Sequence, residues 1–353
     1  MPTLPESPPS PAVWLQRGQA LEGKGRFTEA VGAYDWAIDL LGSDTDPLDT
    51  PHRRTLGLVW MNRGNALQKI ASTAALRDAV RSYDQAIVVF QTLPLDAEPA
   101  LRNHLGAAWL NRGHALMTTA EPSAVDSFEQ AIMHLEKLPL EADPHYQLNL
   151  AGAWTNLAHA LLAPASLPAR ERARTAAHSA LGVLTHVERA HDAFAAMSLR
   201  ARRALVMALG DLLSAAEKAR QPIANLASEA TDAIDDGLAI AREFEARDVT
   251  QLRSLAVRLF RMGAQLYSVH QPQFLGEFVL ENLGPLAFGT DPEFCTIAND
   301  ALARTLAHLQ RPQILVAGAL EAEKLVAAAR SLRAAQKHVS ALIPPLSTSP
   351  SFA

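Results

Sequence analysis

"WLNRGHAL", residues 109–116, packs a tryptophan, an asparagine, an arginine, a glycine and a histidine into eight positions. A helix turns about 100° per residue, so with Trp109 at zero Gly113 and Leu116 lie within about 40° of it. Asn111 and His114 fall on nearly the opposite side, and Arg112 flanks the apolar stripe. Read as a helix, the stretch has one face to bury and one face to show.

The octapeptide is not alone. "WLQRGQAL" begins at Trp14, "WMNRGNAL" at Trp60 and "WTNLAHAL" at Trp154, the last with Ala158 in place of the glycine. The tryptophans are 46, 49 and 45 residues apart (60−14, 109−60, 154−109), and only Trp36 among the five stands outside this column. A second pattern follows each copy: "AVGAYDWAI" with Ala30, Tyr34 and Ala37, "AVRSYDQAI" with Ala79, Tyr83 and Ala86, "AVDSFEQAI" with Ala124, Phe128 and Ala131, and "ARTAAHSAL" with Ala173, Ala177 and Ala180. Small residues at these spacings share one helical face and let a neighbouring helix come close. Breaks such as "EGKGRF" and "TAEPSA" separate the two patterns, which makes each unit a helix–turn–helix hairpin.

Over residues 12–187 this arrangement resembles the tetratricopeptide repeat family, with its W-x2-L-G-x2-Y…A-x3-F pattern. The first unit reads Trp14-x2-Arg17-Gly18-x2-Leu21…Ala30-x3-Tyr34. Three departures stand out: a period well over the family's roughly 34 residues, arginine (Arg17, Arg63, Arg112) where the family places leucine, and loss of the small–aromatic pair in the fourth unit. The resemblance implies an all-α fold, a right-handed α-solenoid of stacked helix–turn–helix hairpins. The extra length sits before the later tryptophans, where Pro51, Pro99 and Pro144 open segments that lengthen the first helices.

The signal thins past residue 190. "VMALGDLL" (Val206, Gly210, Leu213) and "LFRMGAQL" (Leu259, Gly263, Leu266) suit two degenerate units, with second helices in 229–243 and 273–283. The expected organisation is a proline-rich disordered tail over 1–12, four repeats over 13–187, two divergent hairpins over 188–285, a helical cap over 286–343 and a disordered tail over 344–353.

Arrays of this kind line a concave groove with their first helices. By resemblance, the groove would present Gln16, Asn62, Asn111 and Asn156 in one row and Gln19, Asn65, His114 and His159 in a second. Amide side chains both donate and accept, which suits a peptide main chain without demanding a sequence. Arg17, Arg63 and Arg112 occur only in the units that carry Asp35, Asp84 and Glu129 after the aromatic; the fourth unit has Leu157 and His178. Arginine and acid are lost together, which predicts a repeated ion pair, within a hairpin or between neighbours, with Arg112 against Glu129.

Composition narrows the rest. With 48% hydrophobic and 20% charged residues, the chain can bury a core. A net charge of −5 offers phosphate backbones and acidic lipid nothing general, and the basic runs "ARERAR" (169–174) and "LRARR" (199–203) read as solvated helix faces. Cys295 is the single cysteine, so no intrachain disulfide can form. No signal peptide or membrane span is legible, and the expected location is cytoplasmic.

Tempting chemistry fails on inspection. "GQALEGKG" (18–25) lacks the hydroxyl of a phosphate loop and puts Gly18 in a helical repeat column. His186 and His191 are five apart, off a common helical face, and the carboxylates of "DAIDDG" (232–237) have no evident partner across a cleft. The reading is a non-catalytic adaptor without cofactor or metal, with a protein or peptide partner and no nucleic acid or membrane. The alternative is a ligand- or peptide-responsive regulator that uses the same solenoid as its sensor.

Overall fold

The computed structural model describes residues 10–42, 50–189, 192–244, 250–283, 291–309 and 319–342. Among these residues the fold is all-α. Fourteen helices follow in order: α1 (Pro11–Glu22), α2 (Phe27–Gly42), α3 (Thr50–Ile70), α4 (Thr73–Gln91), α5 (Pro99–Thr118), α6 (Ala124–Leu135), α7 (Pro144–Ala160), α8 (Leu167–Leu184), α9 (Asp192–Lys218), α10 (Ala224–Glu243), α11 (Thr250–His270), α12 (Leu275–Asn282), α13 (Pro292–Leu309) and α14 (Ala319–Leu342). The terminal segments 1–9 and 343–353, which hold most of the two expected tails, lie outside the described residues.

Proline and short polar side chains mark the helix starts. Pro99 and Pro144 take the first position of α5 and α7, where no intrahelical N–H bond is lost. Ser72 caps α4 by accepting from the Ala75 N–H at 3.1 Å, and Asp143 caps α7 by accepting from His145 N–H at 2.8 Å. The lengthening read from the sequence is present: α1 has 12 residues, whereas α3, α5 and α7 have 21, 20 and 17. At the first hairpin turn Gly25 takes the left-handed backbone conformation, φ +71°. The corresponding turns of the next two hairpins do it with Ala71 and Ala120, both at φ 58°, at a steric cost glycine escapes.

Contacts divide the chain into two compact units, Met1–Pro164 with Thr175–Glu188, and Ala165–Arg174 with Arg189–Ala353. In the first, consecutive helices from α1 to α7 pack on one another, and the first helices α1, α3, α5 and α7 also touch in series. They form one layer of a stacked array of hairpins.

What closes each of the first three hairpins is a glycine under a ring. Gly18 sits beneath Tyr34, Gly64 beneath Tyr83 and Gly113 beneath Phe128; a Cβ on Gly64 or Gly113 would lie 2.6 Å from a ring carbon. A second close approach lies two turns earlier on the lengthened helices, Gly57 against Phe90 and Gly106 against Leu135. The rings of Tyr34, Tyr83, Phe90 and Phe128 are wholly buried. Glycine and aromatic are therefore one device, and the fourth unit changes both members to alanine, Ala158 and Ala177.

The second unit packs α9 against α10 and α11, α10 and α13 against α11, and α14 against α12 and α13. Gly263 repeats the glycine device against Phe278, with a virtual Cβ 2.5 Å from the ring. Gly210 does not. It is exposed on α9 with nothing near it, so the Val206–Gly210–Leu213 column read from the sequence is not a packing column in the manner of Gly113. An aromatic cluster takes over instead, with Phe260 4.9 Å from Phe294 and 5.2 Å from Phe278, and Tyr267 4.7 Å from Phe278.

Candidate functional site

The repeated arginines hold neighbouring hairpins together. Arg63 on α3 donates through Nε to Asp35 on α2 at 2.7 Å and through a terminal nitrogen to Ser82 on α4 at 2.8 Å. Arg112 repeats the geometry one hairpin later, reaching Asp84 at 2.7 Å and Ser127 at 2.6 Å. Each guanidinium also lies over the tryptophan three residues earlier, 5.8 Å from the Trp60 centroid and 5.5 Å from that of Trp109. The ion pair expected within the third hairpin, Arg112 with Glu129, is thus corrected: the arginine reaches back to the acid of the preceding hairpin. The reason is the stacking itself, which places α3 between α2 and α4, and α5 between α4 and α6.

On the layer of first helices, the expected groove residues separate into two groups. Asn65 and Asn111 are brought together: the Asn111 side-chain N–H donates to Asn65 Oδ1 at 3.1 Å, and Tyr83 O–H donates to the same oxygen at 2.8 Å. Gln68, which sequence reasoning passed over, spans the same two helices by donating to the Asn111 carbonyl at 2.9 Å. A parallel link, also missed, joins Asn149 on α7 to Asn103 on α5 at 2.9 Å. Gln16, Gln19 and His114 are exposed, Asn62 and Asn156 are half-buried, and the half-buried His159 has its Nδ1 2.9 Å from the Thr155 carbonyl of its own helix.

Electrostatics near the first two hairpins are set by burial. It raises the Glu22 carboxyl above its usual range, while the neighbouring Tyr34 hydroxyl and the charge of Lys69 pull the other way. Burial, aided by Glu22, pushes the hydroxyls of Tyr34 and Tyr83 upward, so both stay protonated donors. His104, stacked on Phe90 at 5.8 Å, is lowered by burial and then by Arg54, and His134 by burial and then by Lys137 and Arg102.

The other features singled out in the sequence resolve into structure. In the two basic runs, Arg170 pairs with Asp211, Arg174 with Glu229 and Arg202 with Asp236, which reduces the positive surface either run presents. Asp235 accepts from Tyr267 O–H at 2.7 Å, and burial raises its carboxyl. Cys295 is buried and its thiol is pushed up, away from the reactive thiolate. Gly18, the first glycine of the phosphate-loop look-alike, is inside α1. His191, one of the spaced histidines, lies outside the described residues. Among the described residues no group of three or more His, Cys, Asp or Glu could hold a metal, and no helix is long and apolar enough to cross a membrane.

No family model and no curated protein sequence matches the chain. Among solved structures it is similar to that of Nro1, a hypoxic regulator of sterol synthesis described as a nuclear import adaptor. The identity is 13% and the TM-score 0.42, over 89% of this chain and 91% of that one. A likeness of that degree carries no argument about what this chain binds.

Proposed function

We propose that the chain is a non-catalytic adaptor of tetratricopeptide-like construction that holds a protein segment along the layer formed by α1, α3, α5 and α7. The observation that supports this reading is the contact between Asn65 and Asn111, since it joins amide side chains of successive first helices on one face. Beside that joined pair, Gln16, Gln19, Asn62, His114, Asn156 and His159 offer donors and acceptors at intervals along the layer. Such groups match the C=O and N–H groups of an extended chain. Asn65 and Asn111 act chiefly as the fixed floor of this row, because their bonds to each other and to Tyr83 orient them.

Selection of a displayed random-peptide library on the full chain tests the proposal. Peptides recovered on the wild type should lose binding to a Gln16→Ala, Asn62→Ala, Asn156→Ala variant whose helicity and thermal unfolding match the wild type. Equal binding by that variant would remove the groove assignment.

A further inference from the structure

The array repeats one interface, and α1 presents one half of it. On α3, Val59 and Ala66 are wholly buried against α2, in a cluster with Ala30, Tyr34, Ala37 and the flanking Val31 and Ile38. One hairpin later, Ala108 and Ala115 are wholly buried, Ala108 packing with Ile87 and Ala115 with Val80 of α4. Between each small pair stands the arginine that takes the preceding hairpin's aspartate. The receiving face of a first helix is therefore small residue, arginine, small residue. The face that covers it is also periodic: Val31, Asp35 and Ile38 on α2, and Val80, Asp84 and Ile87 on α4, an apolar-x3-acid-x2-apolar strip.

In α1 the same three positions are Val13, Arg17 and Ala20, and no helix among the described residues precedes them. Val13 is 50% exposed where Val59 and Ala108 are 0%. Arg17 and Ala20 are exposed as well. The Arg17 guanidinium keeps its place over tryptophan, 5.1 Å from the Trp14 centroid, but among the described residues it forms no ion pair with an acid. Its second contact is missing too, because Ala33 occupies the position that Ser82 and Ser127 fill in the next two hairpins. Trp36 extends this surface. It stacks on Trp14 at 6.0 Å and is 58% exposed, in a column where the next hairpins carry Gln85 and Gln130.

We infer that the outer face of α1, formed by Val13, Arg17 and Ala20 and extended by Trp36, is a docking surface for a helix of a partner protein carrying an apolar-x3-(Asp/Glu)-x2-apolar strip. Two arguments select this occupant. The first is continuity, since the internal receiving faces of this chain bind a helix of that description. The second is charge: a head-to-head second copy would bring Arg17 against Arg17, whereas a helix with this strip supplies the carboxylate that Arg63 and Arg112 receive internally. The copies of the strip on α2 and α4 are already covered by the following hairpins, so they are not free to serve. The inference stands apart from the groove reading, because the face is formed by Val13, Arg17, Ala20 and Trp36 and by none of the groove residues.

A fluorescein-labelled synthetic peptide with the sequence of residues 73–91, which carries the α4 strip, is the direct probe, with anisotropy measured on the full chain. Saturable binding is expected. Asp84→Lys in the peptide should weaken it about fivefold or more, the scale of one exposed ion pair turned to repulsion. Arg17→Glu in the chain should weaken the native peptide equally and restore the Asp84→Lys peptide. Val13→Asp should abolish binding without altering helicity, since the site is exposed, and the groove triple variant should bind normally. Three results would each overturn the inference. These are no binding, or binding indifferent to Arg17→Glu and Val13→Asp; binding only after residues 1–9 are deleted, which makes the chain's own segment the occupant; and concentration-dependent self-association in light scattering that Val13→Asp removes, which makes a second copy the occupant.

Discussion

Gly64 and Gly210 stand at the same place in two sequence motifs and do opposite things. In the first unit, glycine admits the ring of a second helix, and an arginine three residues after the tryptophan ties the hairpin to its predecessor. The second unit keeps the glycine–ring contact at Gly263 but leaves Gly210 in solvent and fills its core with Phe260, Phe278, Phe294 and Tyr267. A motif letter therefore reports packing only when its partner is present. Gly64 has Tyr83, and the neighbouring Arg63 has Asp35; Gly210 has neither.

That contrast can be broken by substitution. Gly64→Ala or Gly113→Ala forces a Cβ to within 2.6 Å of a fully buried ring and should cost about 1–3 kcal/mol in chemical denaturation. Gly210→Ala, facing open space in a helix, should instead stabilise by about 0.5–1 kcal/mol. Equal effects at Gly64 and Gly210 would erase the distinction between the units.

Acid sensitivity sharpens the account of the first unit. His104 and His134 are both held below the ordinary histidine value by burial, so the folded chain binds fewer protons there than the unfolded chain. Their contribution to stability is full above about pH 6.5 and is lost as pH falls through and below that value. His104→Phe, which keeps the ring against Phe90, should flatten the fall in melting temperature between pH 7 and 5. An unchanged slope would remove His104 from this role.

The smallest effect concerns the turns. Ala71→Gly and Ala120→Gly relieve the left-handed strain that Gly25 avoids, and each should raise stability by about 0.5 kcal/mol after the added freedom of the unfolded chain is subtracted. A loss of stability at both sites would show that the alanine methyls contribute packing there.

The periodicity of Trp14, Trp60, Trp109 and Trp154 made the hairpins legible, because each tryptophan recurs with the small residues its helix needs. Pro51, Pro99 and Pro144 made the lengthened first helices legible as well. Which acid each arginine meets was not, since Asp84 and Glu129 are equally compatible with Arg112 in sequence, and only the stacking order of hairpins decides between them. Nor were the links from Asn65 to Asn111 and from Asn103 to Asn149 readable. They depend on the distance between two first helices about 46 residues apart, which no local pattern encodes. Gly210 misled for the complementary reason, as its motif was intact while its ring was absent.

The central claim is that the second and third hairpins of the first unit are each fastened to the one before by an arginine reaching back. Two double-mutant cycles run in parallel, Arg112 with Asp84 and Arg112 with Glu129, test it most directly. The account predicts a coupling of about 0.5–1 kcal/mol for the first, appropriate to a half-exposed pair, and none for the second. Coupling to Glu129 with none to Asp84 would contradict it.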